Sequence, residues 1–197
     1  MTLRIIAAAL ALAQAGATSA NAEMKVIQSG EYGDFRELFA REAPPRAASF
    51  TATLAFPDEN PDRHPAVVIV HTLGGYQEVN EGWHAAQFRK AGFATVTYDS
   101  VAGRRLREGA GREVWPSAVA EAYAVLEWLA RHPRIDADRI AIVGFSFSGE
   151  VPHLSALEDA RAVLAKGPTR FAAHVASYPA GIFGAIAQRG AYTVRRS

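Results

Sequence analysis

Residues 139–150 read RIAIVGFSFSGE. A short β-branched run, Ile140 to Val143, enters a Gly-Phe-Ser-Phe-Ser-Gly turn, and a helical pattern leaves it. This predicts a strand, a tight turn and a helix with Ser146 at the tip, where a hydroxyl is presented as a nucleophile. Serine is a poor nucleophile at neutral pH and needs a base for its proton and donors for the oxyanion that forms. The turn supplies one donor, the Phe147 amide at the start of the helix. Small residues at 144, 148 and 149 allow close approach of strand and helix. The usual pattern is G-x-S-x-G, and this chain has Ser148 in the last place.

Outward from that turn, apolar runs alternate with helical patterns. Ser49 to Phe56 alternates, with Phe50, Ala52, Leu54 and Phe56 on one side, as in a half-buried strand. Ala66 to Val70 (AVVIV) is a continuous β-branched run, expected of a strand buried on both faces, and it leads into His71-Thr72-Leu73-Gly74-Gly75. Asn80 to Ala91 reads as a helix with Trp83, Phe88 and Ala91 on its stripe and Gly92 as its stop. Phe93 to Tyr98 is another strand, ended by Asp99-Ser100. Pro116 opens a long helix to about Arg131, buried along Val119, Tyr123, Leu126 and Leu129 or Ala130. A helix from about Gly149 to Leu164, stopped by Gly167-Pro168, and a strand over Phe171 to Tyr178 complete the pattern. Glu23 to Arg46 is weakly patterned, with a short helix over Asp34 to Glu42 before Pro44-Pro45. Such alternation predicts an α/β fold, a mostly parallel sheet with helices on both faces. Functional atoms gather at the carboxyl ends of its strands. His71 to Gly75, Asp99-Ser100, Ser146 and Tyr178-Pro179 all fall on that edge. Glycines there let amides face a ligand, which makes Leu73 the candidate second oxyanion donor.

Composition sets the limits. Arg4, the apolar stretch Ile5 to Ala15 and the small-x-small triplet Ala20-Asn21-Ala22 form a secretory signal-peptide pattern over residues 1–22. The expected mature chain is one domain, 23–197, located in the periplasm or secreted. It is not expected to hold to a membrane once the leader is cleaved. Cysteine is absent, so there is no disulfide framework and no lipobox thiol. The formal charge of +1 falls to about zero without Arg4, leaving no bulk field for nucleic acid. Arg104, Arg105, Arg107 and Arg112 read as a solvated loop. The serine turn has neither G-x-G-x-x-G nor G-x-x-x-x-G-K-[ST], which argues against a nucleotide-binding domain.

AVVIVHTLGG, GWHAAQFRKAGFATVTYDS, HPRIDADR, GFSFSGE and AAHVASYP, in that order and spacing, resemble the dienelactone hydrolase family of α/β-hydrolases, in its secreted, serine-bearing branch. The resemblance spans roughly Phe50 to Pro179. It implies a carboxylic-ester hydrolase acting on small-molecule esters or lactones through an acyl-enzyme on Ser146, without metal or organic cofactor. It implies oxyanion amides at Phe147 and Leu73, and a cleft lined by His71, Thr72, Asp99 and Ser100. Thr72 departs from the glycine of the family's His-Gly motif. The family's acid and histidine follow two later strands, whereas beyond Tyr178 this chain has no Asp, Glu or His. The triad acid and histidine are therefore not found, and the last strands of the fold are expected to be lacking. Among the other histidines, His71 is the one candidate base, with His64, His84, His153 and His174 read as structural or surface residues. Glu150 and Glu78 read as a helix-dipole partner and a solvated charge. The alternative is a truncated, non-catalytic α/β-hydrolase fragment or binding module, with an exposed apolar edge near Phe171.

Overall fold

The computed structural model describes residues 21–40, 46–100 and 115–179. The leader through Ala20, the arginine-rich loop, Glu42 with Pro44-Pro45, and the tail from Ala180 lie outside the described residues. The strands are β1 (Ala22–Glu31), β2 (Arg46–Ala55), β3 (His64–Val70), β4 (Ala94–Tyr98), β5 (Ile135–Phe145) and β6 (Ala173–Ser177). The helices are α1 (Phe35–Phe39), α2 (Trp83–Lys90), α3 (Trp115–Ala130), α4 (Glu150–Ser155) and α5 (Glu158–Leu164).

The strands form one six-stranded sheet in the order β1-β2-β4-β3-β5-β6. β3 pairs in parallel with β4 and β5, and β5 with β6, while β1–β2 and β2–β4 are antiparallel. The parallel half is the predicted βαβ repeat. The antiparallel half contains a strand that the sequence did not disclose. β1 alternates poorly, exposing Met24 and Val26 and burying only Ile27 and Gly30, so it carries no period-two signal. Its ladder begins at Ala22, and Asn21 accepts a hydrogen bond from the Phe56 amide at 3.0 Å.

Strand pleating assigns the two faces. Ala66, Val68, Val70, Ile140 and Ile142 point toward α3, which also covers Phe50, Ala52 and Leu54 of β2. Val67, Ile69, Val143 and Phe145 point the other way, against Ala85 of α2. α3 is sheathed by sheet, α1, α4 and α5, so it is buried almost all round. Its predicted stripe is right at Val119, Tyr123, Leu126 and Leu129, and Ala130 is only half-buried.

Three helical expectations are corrected. Residues 78–82 form one π-helical turn before α2, and this rotates Trp83 outward to 56% exposure and Ala85 inward to 2%. The single helix from Gly149 to Leu164 is two. α4 ends at Ser155, and Leu157 is extended at φ −75°, ψ 134° before α5. The short early helix is five residues long, Phe35–Phe39, with the Asp34 carboxylate capping the Arg36 and Glu37 amides. Gly92 and Gly167 sit at φ +88° and +91°, as helix-terminating glycines do.

Along β6 the sheet stops among the described residues, and Val175 and Tyr178 are 50% and 67% exposed. His174 is the exception on this strand. Its Nδ1 lies 3.1 Å from Ser155 Oγ and 3.2 Å from the Pro152 carbonyl, and its Nε2 is buried with no acceptor among the described residues. Burial disfavours the imidazolium and lowers its pKa to about 4, against a weaker upward pull from the Pro152 carbonyl. The unfolded chain takes up this proton near pH 6.5, and the folded chain resists it until about pH 4. His174 therefore contributes stability above pH 6.5 that is lost as the pH falls toward 4. Urea midpoints measured from pH 7 to pH 4.5 should decline, and His174→Asn should flatten part of that decline.

Candidate active site

Ser146 sits between β5 and a single 3-10 turn, Ser146–Gly149, that leads into α4. Phe145 is extended at φ −124°, ψ 144°, and Ser146 turns abruptly to φ 53°. A non-glycine residue in the left-handed region costs roughly 1–2 kcal/mol. The turn is held by the bulk missing from its glycines. A Cβ on Gly144 would lie 2.2 Å from the Ser148 carbonyl, and one on Gly149 would lie 3.0–3.2 Å from Pro179 and the Ser177 carbonyl. Ser148, the departure from the pattern, is accommodated at 4% exposure.

Two aromatic stacks clamp the turn from opposite faces. Phe147 stacks on Trp115 of α3 at 4.5 Å between centroids, and Trp115 Nε1 donates to the Phe147 carbonyl at 3.0 Å. Phe145 stacks on His84 of α2 at 4.2 Å. Between them Ser146 is exposed, and its hydroxyl meets no hydrogen-bond partner among the described residues. The Phe147 amide lies in the first turn of the helical segment, where amides have no intrahelical acceptor.

The loop after β3 faces the same edge and is heavily braced. A Thr72–Gly75 turn, closed by Gly75 N donating to Thr72 O at 3.1 Å, carries Leu73 at its tip, 55% exposed. Among the described residues, the Leu73 amide finds no protein acceptor. Glu81 is fully buried, and its carboxylate accepts from Thr72 N and Gln77 N at 2.8 Å each and from Asn80 Nδ2 at 3.1 Å. Asp99, from the end of β4, accepts from Tyr76 N at 3.2 Å. Gly75, at φ +80°, lets that carboxylate come close, since a Cβ there would sit 3.0 Å from Asp99 Oδ2.

His71 and Ser100 do not face the open cleft. They are 4% and 3% exposed. The Ser100 amide donates to His71 Nε2 at 3.0 Å, which puts the ring proton on Nδ1, where it donates to the Thr72 carbonyl at 2.5 Å. Ser100 Oγ donates to Glu121 of α3. With both ring nitrogens occupied, His71 ties the ends of β3 and β4 together and is not placed to take a proton from Ser146. The other histidines are also engaged. His64 contacts Asn60 and Asp58, His132 contacts Glu23, His153 contacts Glu150, and His84 lies against Trp83 and Phe145. Glu150 stands in the first turn of α4, as expected of a helix-dipole partner, and it is fully buried. Glu78 is exposed, as expected, and accepts from the Tyr76 hydroxyl.

Glu81 is the functional-loop residue that the sequence reading missed. Its signal lay in a glutamate on the otherwise polar turn before Trp83, and it was hidden by the π-helical turn. A separate cavity of about 200 Å³ also went unread. It lies where α2 stops short of β2, among Thr53, Thr95, Thr97, Tyr76, Glu78 and Arg89, and shares no lining residue with the serine turn.

The profile of the X-Pro dipeptidyl-peptidase (S15) family matches residues 47–188, which include β2 through β6, the braced loop and the serine turn. The chain belongs to the S15 family. This places it in a hydrolase family with the α/β-hydrolase fold. Among solved structures, a carboxylesterase from Lactobacillus plantarum WCFS1 is 22% identical with a TM-score of 0.55, covering 70% of this chain and 54% of that one. A lipase/esterase from Lactobacillus plantarum is 18% identical with a TM-score of 0.52, covering 76% and 56%. An uncharacterized 31.7 kDa protein of Escherichia coli is 29% identical over 99 residues, 50% of this chain and 35% of its own length. The S15-family chain thus spans between about a third and three fifths of the length of these relatives.

Two substitutions test the bracing. Gly144→Ala forces the Cβ into the Ser148 carbonyl and should cost about 3 kcal/mol or more of stability in urea unfolding. Glu81→Gln sets an amide NH2 against the Thr72 or Gln77 N–H. It should cost about 1–3 kcal/mol and speed hydrogen exchange across residues 72–77, with β5 protection unchanged.

Proposed function

We propose that this chain is a serine hydrolase of the dienelactone hydrolase type, in which Ser146 attacks the carbonyl of a small carboxylic ester or lactone. The Phe147 and Leu73 amides stabilise the oxyanion; the ester C–O bond then breaks, the serine proton passes to the departing alkoxide (which stays tethered in a lactone), and water releases the acid from the acyl-Ser146 intermediate. One observation carries this reading. Ser146 is exposed in a left-handed turn between strand and helix, with small residues where close packing demands them. That arrangement costs stability and has no structural use of its own, as expected of strain kept at a reactive residue. As a secretory leader, residues 1–22 would direct the chain to the periplasm or beyond before their cleavage. That cleavage would remove the Asn21–Phe56 bond and a single ladder pair, leaving nine residues of β1 in place.

A second reading is favoured by the histidine placements above. Each imidazole is engaged or stacked elsewhere, so the described residues offer Ser146 a nucleophile's position and oxyanion donors without a paired base. A chain built this way binds carbonyl ligands, acylates slowly with activated reagents and turns over little. The S15 membership also raises X-Pro peptides as substrates beside esters.

Labelling with a fluorophosphonate, read by intact mass, separates these readings. A single adduct is expected on the parent chain and none on Ser146→Ala. Steady-state assays with a p-nitrophenyl ester and an X-Pro p-nitroanilide then decide the class. Ester turnover that falls by on the order of 10⁴–10⁶ in Ser146→Ala supports the hydrolase reading. Preference for the anilide transfers the reading to a peptidase, and an adduct without turnover leaves a binding module. Absence of an adduct on correctly folded protein removes Ser146 as a nucleophile.

A further inference from the structure

Ring contacts run in an unbroken line beside the reactive serine. Trp83 meets His84 edge-on at 4.9 Å between centroids, His84 stacks on Phe145 at 4.2 Å and 19°, and Phe145 meets Tyr178 at 6.4 Å. Of the inner rings, Phe145 is packed down at 7% exposure and His84 is half-buried. The two ends are open, Trp83 at 56% and Tyr178 at 67%. Phe145 immediately precedes Ser146, so the centre of the line is one residue from the nucleophile. No member is Asp, Glu, Lys or Arg, and the chain has none of these between Arg170 and Arg189.

Large aromatic side chains contribute most when buried, so two held half-open on a line of rings that passes through Phe145 are costly unless something covers them. Their exposure has identifiable causes. The π-helical turn at 78–82 rotates Trp83 out of the core, and Tyr178 takes a left-handed φ of 39° as the chain leaves β6. Trp83 is itself regular helix, turned outward by the π-helical turn before it, whereas Tyr178 sits in left-handed backbone.

We propose that Trp83, His84, Phe145 and Tyr178 form a specificity platform for a planar, uncharged aryl group carried by the substrate beside its carbonyl. This rests on the serine-hydrolase reading for the bond that is cleaved, but not for the binding itself. Offset and edge-to-face ring contacts discriminate a flat aromatic group from a puckered apolar one of similar size. Trp83 and Tyr178 act as specificity-determining residues. Phe145 and His84 act as positioning residues that hold the line together.

Binding is measured on Ser146→Ala, so that turnover plays no part. Methyl benzoate and methyl cyclohexanecarboxylate serve as probes, followed by saturation-transfer NMR and tryptophan fluorescence. Methyl benzoate should bind at least threefold more tightly than the cyclohexane ester. Trp83→Ala and Tyr178→Ala should each weaken it about threefold to tenfold with little effect on the cyclohexane ester. Met24→Ala, at the far sheet edge, should change neither. Equal affinity for the two probes overturns the proposal, as does benzoate binding insensitive to both ring deletions. So does a concentration-dependent dimer that Trp83→Ala dissociates and that excludes the ester, because a second copy then covers the line. Retained benzoate selectivity in a parent chain that takes no fluorophosphonate keeps the platform and removes the hydrolase reading. Fluorophosphonate labelling without aryl selectivity does the reverse.

Discussion

The left-handed backbone at Ser146 is the constraint to which the surrounding structure answers. One residue off the favoured φ range costs roughly 1–2 kcal/mol, a sizeable part of a small domain's net stability. Its neighbours hold it in place in three ways. Gly144 allows the Ser148 carbonyl to fold back over it, and Gly149 allows β6 and Pro179 to close in. Phe147 and Phe145, alternating to opposite faces, are pinned by stacks on Trp115 and His84. Helices on both sides of the sheet thus act on the same turn. Relaxation of the serine would require breaking one stack or the other.

The second constraint is electrostatic. Glu81, Glu121 and Glu150 are at most 1% exposed, and a buried carboxylate without partners is very costly. Glu81 offsets that cost with three N–H donors, two of them backbone amides of the loop that carries Leu73. A carboxylate that accepts from both ends of a loop fixes its shape more firmly than side-chain packing could, because charge-assisted bonds are short and directional. Asp99 and the His71–Ser100–Glu121 chain repeat this logic from β4 and α3. The loop that carries Leu73 is therefore held by buried charge, whereas the serine turn is held by packing.

This division explains what was legible in the sequence. Packing leaves periodic signatures. The AVVIV run, the Phe50–Phe56 alternation and the α3 stripe gave the strands, the faces and the α/β class. The glycine spacing around Ser146 gave the turn. Buried charge leaves no period. Glu81 looks like any surface glutamate until a π-helical turn rotates it inward, and that extra residue per turn also displaced the predicted stripe from Trp83 to Ala85. His71 and Ser100 stood at the right edge, and only the backbone amide of Ser100 decides that the imidazole points into the fold. β1 escaped notice because its partner supplies its order. Ten backbone pairs with β2 need little from its own side chains.

The topology then bears on why half a site can be well formed. Both candidate oxyanion amides and the candidate nucleophile follow β3 and β5, which are parallel neighbours inside the sheet, and most of their bracing comes from β4 and the flanking helices. Most of the bracing lies among residues 66 to 155, and the edge strand β6 with the chain leaving it adds Ser177 and Pro179 against Gly149. The edges differ from one another. β1 carries Glu23, Lys25 and Glu31, charges that discourage pairing with another chain. β6 carries none, and it presents Val175 and the nearby Tyr178 to solvent. A nucleophile built from central strands keeps its geometry whatever lies against β6. Among the described residues every imidazole has another partner, so activation of the Ser146 hydroxyl is a separate requirement from its conformation. The conformation of Ser146 is thus secured by packing from both faces of the sheet, independently of whether a base is positioned beside it.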